Sequence, residues 1–311
     1  MKTIALIIAY IITNVIVAQS VFISEEHLVL NDSIQLPGTL KFNAELKQQP
    51  LVIYIQGSGD PDRNGNQPAF NVNSDYINQL GNALAEQNIA FYSFDKRNVT
   101  KTNLKFLKQR YLFSDLATDV SKVIDEFKND NRFNSITIIG HSQGSLVAML
   151  AINSHIDKYI SLAGLSETVD KAFVRQITNQ SQELGEVAKQ HADELKTTGD
   201  IKEINPYLVS LFAKVNHEFL IDYFKYNPSE EIKKIDIPIL ILNGTKDIQV
   251  PVDDAKALHE ANPKSKLVLI ENMNHVLKLI TIDDDNLKSY YTADYPLSQE
   301  LVTLIIKFVK E

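Results

Sequence analysis

Residues 136–145 read Ile-Thr-Ile-Ile-Gly-His-Ser-Gln-Gly-Ser, and the folding of this stretch decides how the rest of the chain is read. Residues 136–139 are apolar and β-branched, the signature of a buried strand, while residues 145–150 run Ser-Leu-Val-Ala-Met-Leu at helical spacing. Between them stands G-x-S-x-G, with Gly140 and Gly144 two residues either side of Ser142. A strand that reverses directly into a helix brings backbone against backbone at both flanks, where a Cβ would clash. The serine at the tip is then held strained, with its hydroxyl at the end of the sheet and a helix N-terminus beneath it. Outside such a strand-helix frame the motif is a turn with an N-capping serine, so the remaining chain must supply partners for Ser142.

The 311 residues are 44% hydrophobic and 23% charged, a globular composition with ample core. A formal charge of −8 argues against nucleic acid or an anionic membrane as main partner. Cysteine is absent, which removes disulfides and thiolate chemistry. Residues 1–18 are read as a signal peptide: Lys2, an apolar run from Ile4 to Val17, then small residues, with the cut after Ala18 or Ser20. The run is short of the roughly 20 residues of a membrane span and carries Thr13 and Asn14. Export to the periplasm or medium is the expectation, with no stable membrane span once the signal is cleaved.

Strand-like residues 25–30 and 34–42, separated by Asn31-Asp32-Ser33, read as a hairpin. Strands then alternate with helices. Residues 51–56 are a buried strand, 74–87 a helix with Ser74 as N-cap, and 89–94 a strand, after which Ser114 caps another helix. Further strands are read at 136–139, 159–163, 238–243 and 266–270, and a last amphipathic helix at 297–309. The alternation predicts an α/β fold, a mostly parallel sheet with helices on both faces. Residues 165–235 break the rhythm with a polar, helix-favouring stretch and an aromatic second half, and are read as an inserted helical cap. The core is then 19–164 together with 236–311. Most of the cap aromatics are expected to be its own core face.

A serine hydroxyl needs a base, and the base an orienting carboxylate. Of the seven histidines, His141 adjoins the serine but points away from it. His275 lies in the loop leaving the last strand, where a parallel sheet carries its site. Asp247 lies in the loop after the preceding strand, whereas Asp253 and Asp254 fall in a first helical turn and suit the helix dipole. The order Ser142, Asp247, His275 is that of the α/β-hydrolase triad. An oxyanion needs donors: Gln143 N–H at the helix N-terminus, and Ser58 N–H from the loop Gln56-Gly57-Ser58-Gly59, with Gly57 as the alternative. Neither glycine-rich nucleotide pattern is present, and no cofactor or metal is called for; the run at 283–285 lacks the ligand alternation of a calcium loop.

The chain resembles the α/β-hydrolase superfamily, and within it a bacterial group of carboxylesterase-like or serine-aminopeptidase-like hydrolases. The likeness rests on Gly-Ser-Gly-Asp-Pro-Asp-Arg-Asn-Gly-Asn at 57–66, Asp-Lys-Arg at 95–97, Gly-His-Ser-Gln-Gly at 140–144 and Met-Asn-His-Val-Leu-Lys at 273–278. The loop after Arg97 lacks the glycines of the group's pattern. Asp62, Arg63 and Arg97 are expected to tie the oxyanion loop in place by charge-assisted hydrogen bonds. The expectation is a cofactor-independent serine hydrolase acting on small acyl esters. An aminopeptidase, with Glu183, Glu186, Asp193 or Glu194 holding an α-amine, is the alternative, and a non-catalytic binding protein the third reading. Natural substrate, acyl length and oligomeric state stay open at this level.

Overall fold

A computed structural model describes residues 22–311; the signal-peptide reading of residues 1–18 lies outside them. Strands β1 (Ile23–Asn31) and β2 (Ile34–Phe42) form the hairpin, joined through Asp32 at φ 52°. β3 (Gln49–Ile55), α1 (Tyr76–Ala85), β4 (Ala90–Phe94), α2 (Leu104–Leu107) and α3 (Ser114–Phe127) follow. Then come β5 (Phe133–His141), α4 (Gln143–Ala151) and β6 (Lys158–Leu162). The eight strands lie in the order β1-β2-β4-β3-β5-β6-β7-β8, with β7 spanning Ile239–Gly244 and β8 Lys266–Ile270. β1, β2 and β4 pair antiparallel; every pairing from β4 to β8 is parallel. β4 and β7 are buried along their whole length and β3 at every residue but Pro50, as a sheet covered on both faces requires.

Two apolar layers result. Ile53, Ile138, Tyr159 and Ile241 belong to one, packed with α3 and α4. Val52, Ile139, Leu162 and Leu242 belong to the other, packed with α1 and with α11 (Gln299–Lys310). Alternate residues of each strand thus serve opposite faces.

Between β6 and β7 the chain is helical: α5 (Val169–Gln180), α6 (Gln182–Thr198), α7 (Val209–Phe212), α8 (His217–Tyr223) and α9 (Pro228–Ile232). Buried carboxylates fasten this segment to the sheet layer. Asp254, on α10 (Val252–Ala261), accepts from Ser166 N–H at 2.9 Å, Ser166 Oγ at 2.7 Å and Arg175 Nη2 at 2.7 Å. Asp222 on α8 accepts from Ser114 N–H at 2.8 Å.

Two helix starts differ from the sequence reading. Ser74 does not cap α1; its hydroxyl is buried and donates to Gly65 O, and the helix begins at Tyr76 after Asp75, whose φ is 50°. Ser114 is the first helical residue of α3, not its cap, because a preceding turn already holds Phe113 in helical geometry.

Candidate active site

The strand-turn-helix at 136–145 folds with Ser142 at φ 55°, ψ −124°, a region an L-residue occupies only when its surroundings hold it there. The hold is visible. Ser142 N–H donates to Leu162 O of β6 at 2.9 Å, while its carbonyl accepts from Ser145 N–H at 2.9 Å. A Cβ at Gly140 would stand 2.4 Å from Gly144 O, and one at Gly144 would stand 2.3 Å from Ile55 O. Both glycines are therefore required by backbone contact.

His275 and Asp247, from the loops after β8 and β7, meet directly. His275 Nδ1 donates to Asp247 Oδ2 at 2.7 Å, with the carboxylate fully buried and the imidazole 6% exposed. Asp247 Oδ1 accepts from Gln249 N–H and Val250 N–H, each at 2.8 Å, so three donors fix the carboxylate. With its Nδ1 proton committed to Asp247, a neutral His275 presents Nε2 as an acceptor. Ser142 and His275 line one cavity of about 180 Å³ with Ser58, Tyr76, His141, Gln249 and Tyr290. Ser142 Oγ and His275 Nε2 share this cavity wall without a hydrogen bond between them; nucleophile–base bonds of this kind tighten in the Michaelis complex. The loop carrying His275 is itself anchored. Asn274 Nδ2 donates to Ser289 Oγ at 2.7 Å and to Asn286 Oδ1 at 3.0 Å, and Asn274 Oδ1 accepts from Lys278 N–H.

His141 is buried, and its Nε2–H donates to the main-chain carbonyl of His275 at 2.9 Å. Burial, then the neighbouring His275 ring, holds its pKa well below the ordinary histidine range, so it stays neutral. Sequence reading set it aside as a poor base and had no signal for this contact, because its partner lies 134 residues away.

A second cavity, of about 510 Å³, opens on the other side of the Ser58 loop. Leu104, Leu107, Tyr111, Phe173, Phe219 and Tyr223 make it apolar, while Gln143, Lys96 and Asp60 supply polar groups. Tyr111 and Phe219 rings lie 4.8 Å apart, and Tyr223 stacks on Phe113 at 3.8 Å. Phe224 does not face this cavity but is buried in the core.

Other expected residues fall differently. Arg63 pairs with Asp95 and Glu26, and Asp62 accepts from Asn64 and Asn66 N–H, shaping the 57–66 loop as read. Arg97 does not touch that loop. It pairs with Asp119 and Asp115 of α3. Its neighbours grip the loop instead: Lys96 donates to the carbonyls of Gly57 and Gly59, and Asn98 Nδ2 donates to Asp60 Oδ1. Asp253 is exposed and pairs with Lys256, while Asp254 is the buried anchor already described. Of the four cap acids, Asp193 pairs with Lys189 and Glu194 accepts from Lys202 N–H; none of the four lines either cavity. Asp283 and Asp285 pair with Lys246 and Lys288, and no group of three candidate metal ligands occurs among the described residues.

A mostly parallel eight-stranded sheet with a strained serine after β5, an acid after β7 and a histidine after β8 is the α/β-hydrolase fold. Comparison agrees. Residues 70–203 match the family described as serine aminopeptidase, S33. The esterase EstD of Thermotoga maritima is 23% identical over 249 residues, 78% of this chain, which spans 58% of that protein's length. The esterase Pf2001 of Pyrococcus furiosus superposes with a TM-score of 0.62 at 16% identity, covering 97% of this chain and 95% of that one. Est1E of Butyrivibrio proteoclasticus, solved with ferulic acid bound, gives 0.57 at 20% identity, covering 91% and 96%. By fold the chain is an α/β-hydrolase, and it is similar to the esterase-like and serine-aminopeptidase-like members of that superfamily.

Proposed function

We propose that the protein is a serine hydrolase that cleaves carboxylic ester bonds of small acyl substrates. The observation that carries this reading is the 2.7 Å Asp247–His275 pair on a cavity wall shared with the strained Ser142. Ser142 Oγ attacks the acyl carbon while His275 Nε2 takes its proton and Asp247 stabilises the imidazolium. Collapse of the tetrahedral intermediate expels the alcohol, which receives that proton from His275. Water, deprotonated by His275, then attacks the acyl-enzyme, releasing the carboxylic acid and returning the proton to Ser142. Gln143 N–H and Ser58 N–H face the oxyanion.

Segment 165–235 acts as a cap that shapes what binds. Its Phe173, Phe219 and Tyr223 complete an apolar chamber beside Gln143, suited to an alkyl or aromatic group worth about 25 cal/mol per Å² of apolar surface buried. That Est1E binds ferulic acid supports including aromatic acyl esters among the candidates. A serine aminopeptidase is the second reading, favoured by the matching family's description. It needs a carboxylate for the α-amine, and Asp60 is the acid on the wall of the larger cavity. We also infer export through residues 1–18, checked by N-terminal sequencing of the mature protein.

A fluorophosphonate probe tests the central claim. Single labelling at Ser142, lost in Ser142→Ala with the fold intact, is expected; labelling that persists in that variant sinks the assignment. Acetyl, butyryl, octanoyl and feruloyl esters, run beside aminoacyl-arylamides, separate the two substrate readings.

A further inference from the structure

Lys96 follows β4 and is 6% exposed, yet no carboxylate forms an ion pair with it among the described residues. Its ammonium instead donates to two main-chain oxygens, Gly57 O and Gly59 O, both at 2.7 Å. Burying a cation against neutral carbonyls is costly, and an uncharged side chain of similar length would fill the space without that cost. Burial brings its pKa down to about 8, with Asp60 acting in the opposite direction, so the group is still cationic at neutral pH.

The Gly57 carbonyl and the Ser58 N–H belong to one peptide group. In a trans peptide these two dipoles point in opposite directions within one plane. A cation held on the oxygen therefore fixes where the N–H points. It also draws electron density toward the oxygen, making the N–H a stronger donor. The peptide runs directly beside the serine: a Cβ on Gly57 would lie 3.0 Å from Ser142 Cβ, and Ser58 lines both cavities.

We propose that Lys96 is a positioning residue for the oxyanion, clamping the Gly57 and Gly59 carbonyls so that the Ser58 N–H is aimed and polarised toward the tetrahedral intermediate. The inference rests on Ser142 being the nucleophile. It extends that reading by placing a charge on the carbonyl side of the peptide whose N–H is the oxyanion donor.

The test compares wild type with Lys96→Met and with Lys96→Gln, which keeps a donor without the charge. Labelling of wild-type Ser142 by the fluorophosphonate comes first; its failure would remove the serine-hydrolase reading and this inference together. With labelling in hand, Lys96→Met is expected to lower kcat on a butyryl ester by about tenfold or more, with KM within about twofold. Affinity for an alkyl trifluoromethyl ketone, which forms a tetrahedral oxyanion on the serine, should weaken by a similar factor. Lys96→Gln should fall between, and it carries the comparison if the methionine variant does not fold. Ketone affinity within about twofold of wild type in a folded variant, whatever happens to melting temperature or KM, would overturn the proposal in favour of a purely structural lysine.

Discussion

His141 Nε2–H donates to the main-chain carbonyl of His275 at 2.9 Å, so the residue preceding the candidate nucleophile holds the loop of the candidate base. The two rings also lie 4.7 Å apart. His141 touches no group that the proposed chemistry transfers. Its replacement should therefore cost rate through the placement of His275. His141→Phe, which fills the space but donates nothing, is expected to lower kcat by about tenfold while fluorophosphonate labelling of Ser142 slows but persists. An unchanged kcat would show that the loop anchors at Asn274 suffice without His141.

The carboxylates at 247, 253 and 254 separate by partner. Asp247→Asn should cost about three decades of kcat, because the histidine loses the acceptor that sets its tautomer. Asp253→Asn should be close to wild type, since that side chain is exposed and pairs only with Lys256. Asp254→Ala should leave kcat of the folded protein nearly unchanged and lower stability by about 2 kcal/mol, because Ser166 and the one-third-exposed Arg175 lose their acceptor. Chemical denaturation beside steady-state kinetics distinguishes all three.

Two phenylalanines of the helical segment should part company. Phe219 lines the apolar cavity, so Phe219→Ala should shift acyl preference by about 1 kcal/mol between butyryl and octanoyl esters. Phe224 is core, so Phe224→Ala should lower stability by about 3 kcal/mol and leave the chain-length profile alone. The readouts are kcat/KM across the ester series and melting temperature. An identical selectivity profile in Phe219→Ala would retire the cavity as an acyl site.

Alkaline pH should move activity and stability in opposite directions. As pH rises through about 8, Lys96 loses its charge and kcat should fall, an alkaline limb that Lys96→Met should lack. Asp60 faces the ammonium, Asp119 shares the small cavity behind it, and Lys108 and Tyr111 share the larger one. Asp119 is already committed to Arg97, so it supplies Lys96 with little countercharge. For stability the sign is the reverse. Between about 8 and the ordinary lysine value of 10.5 the unfolded chain binds a proton that the folded Lys96 has released. Lys41 and Lys278, also brought down to about 8 by burial, add in the same sense. Their combined contribution to stability should grow from about pH 8 to 10, before buried tyrosines such as Tyr54, with raised pKa, begin to oppose it. Denaturation midpoints of wild type and the three lysine variants over that window check the sign.

The sequence by itself determined the alternation of strand and helix, the strand-turn-helix at 136–145, and the order of Ser142, Asp247 and His275. Each rests on contacts close along the chain or on a repeated pattern: side chains alternating across a strand, glycines beside a turn, loops following strands. What the tertiary structure alone decided involves partners far apart in sequence. Lys96 reaches back 39 residues to Gly57, while Arg97, read as the loop's tie, turns to α3. Asp254, read as a helix-dipole acid, reaches 88 residues back to Ser166 and becomes a buried anchor. Phe219 and Phe224 are only five positions apart in the same helical segment, yet one faces a cavity and the other the core. A side chain's partner at such distances depends on how helices pack on the sheet, and no local propensity carries that information.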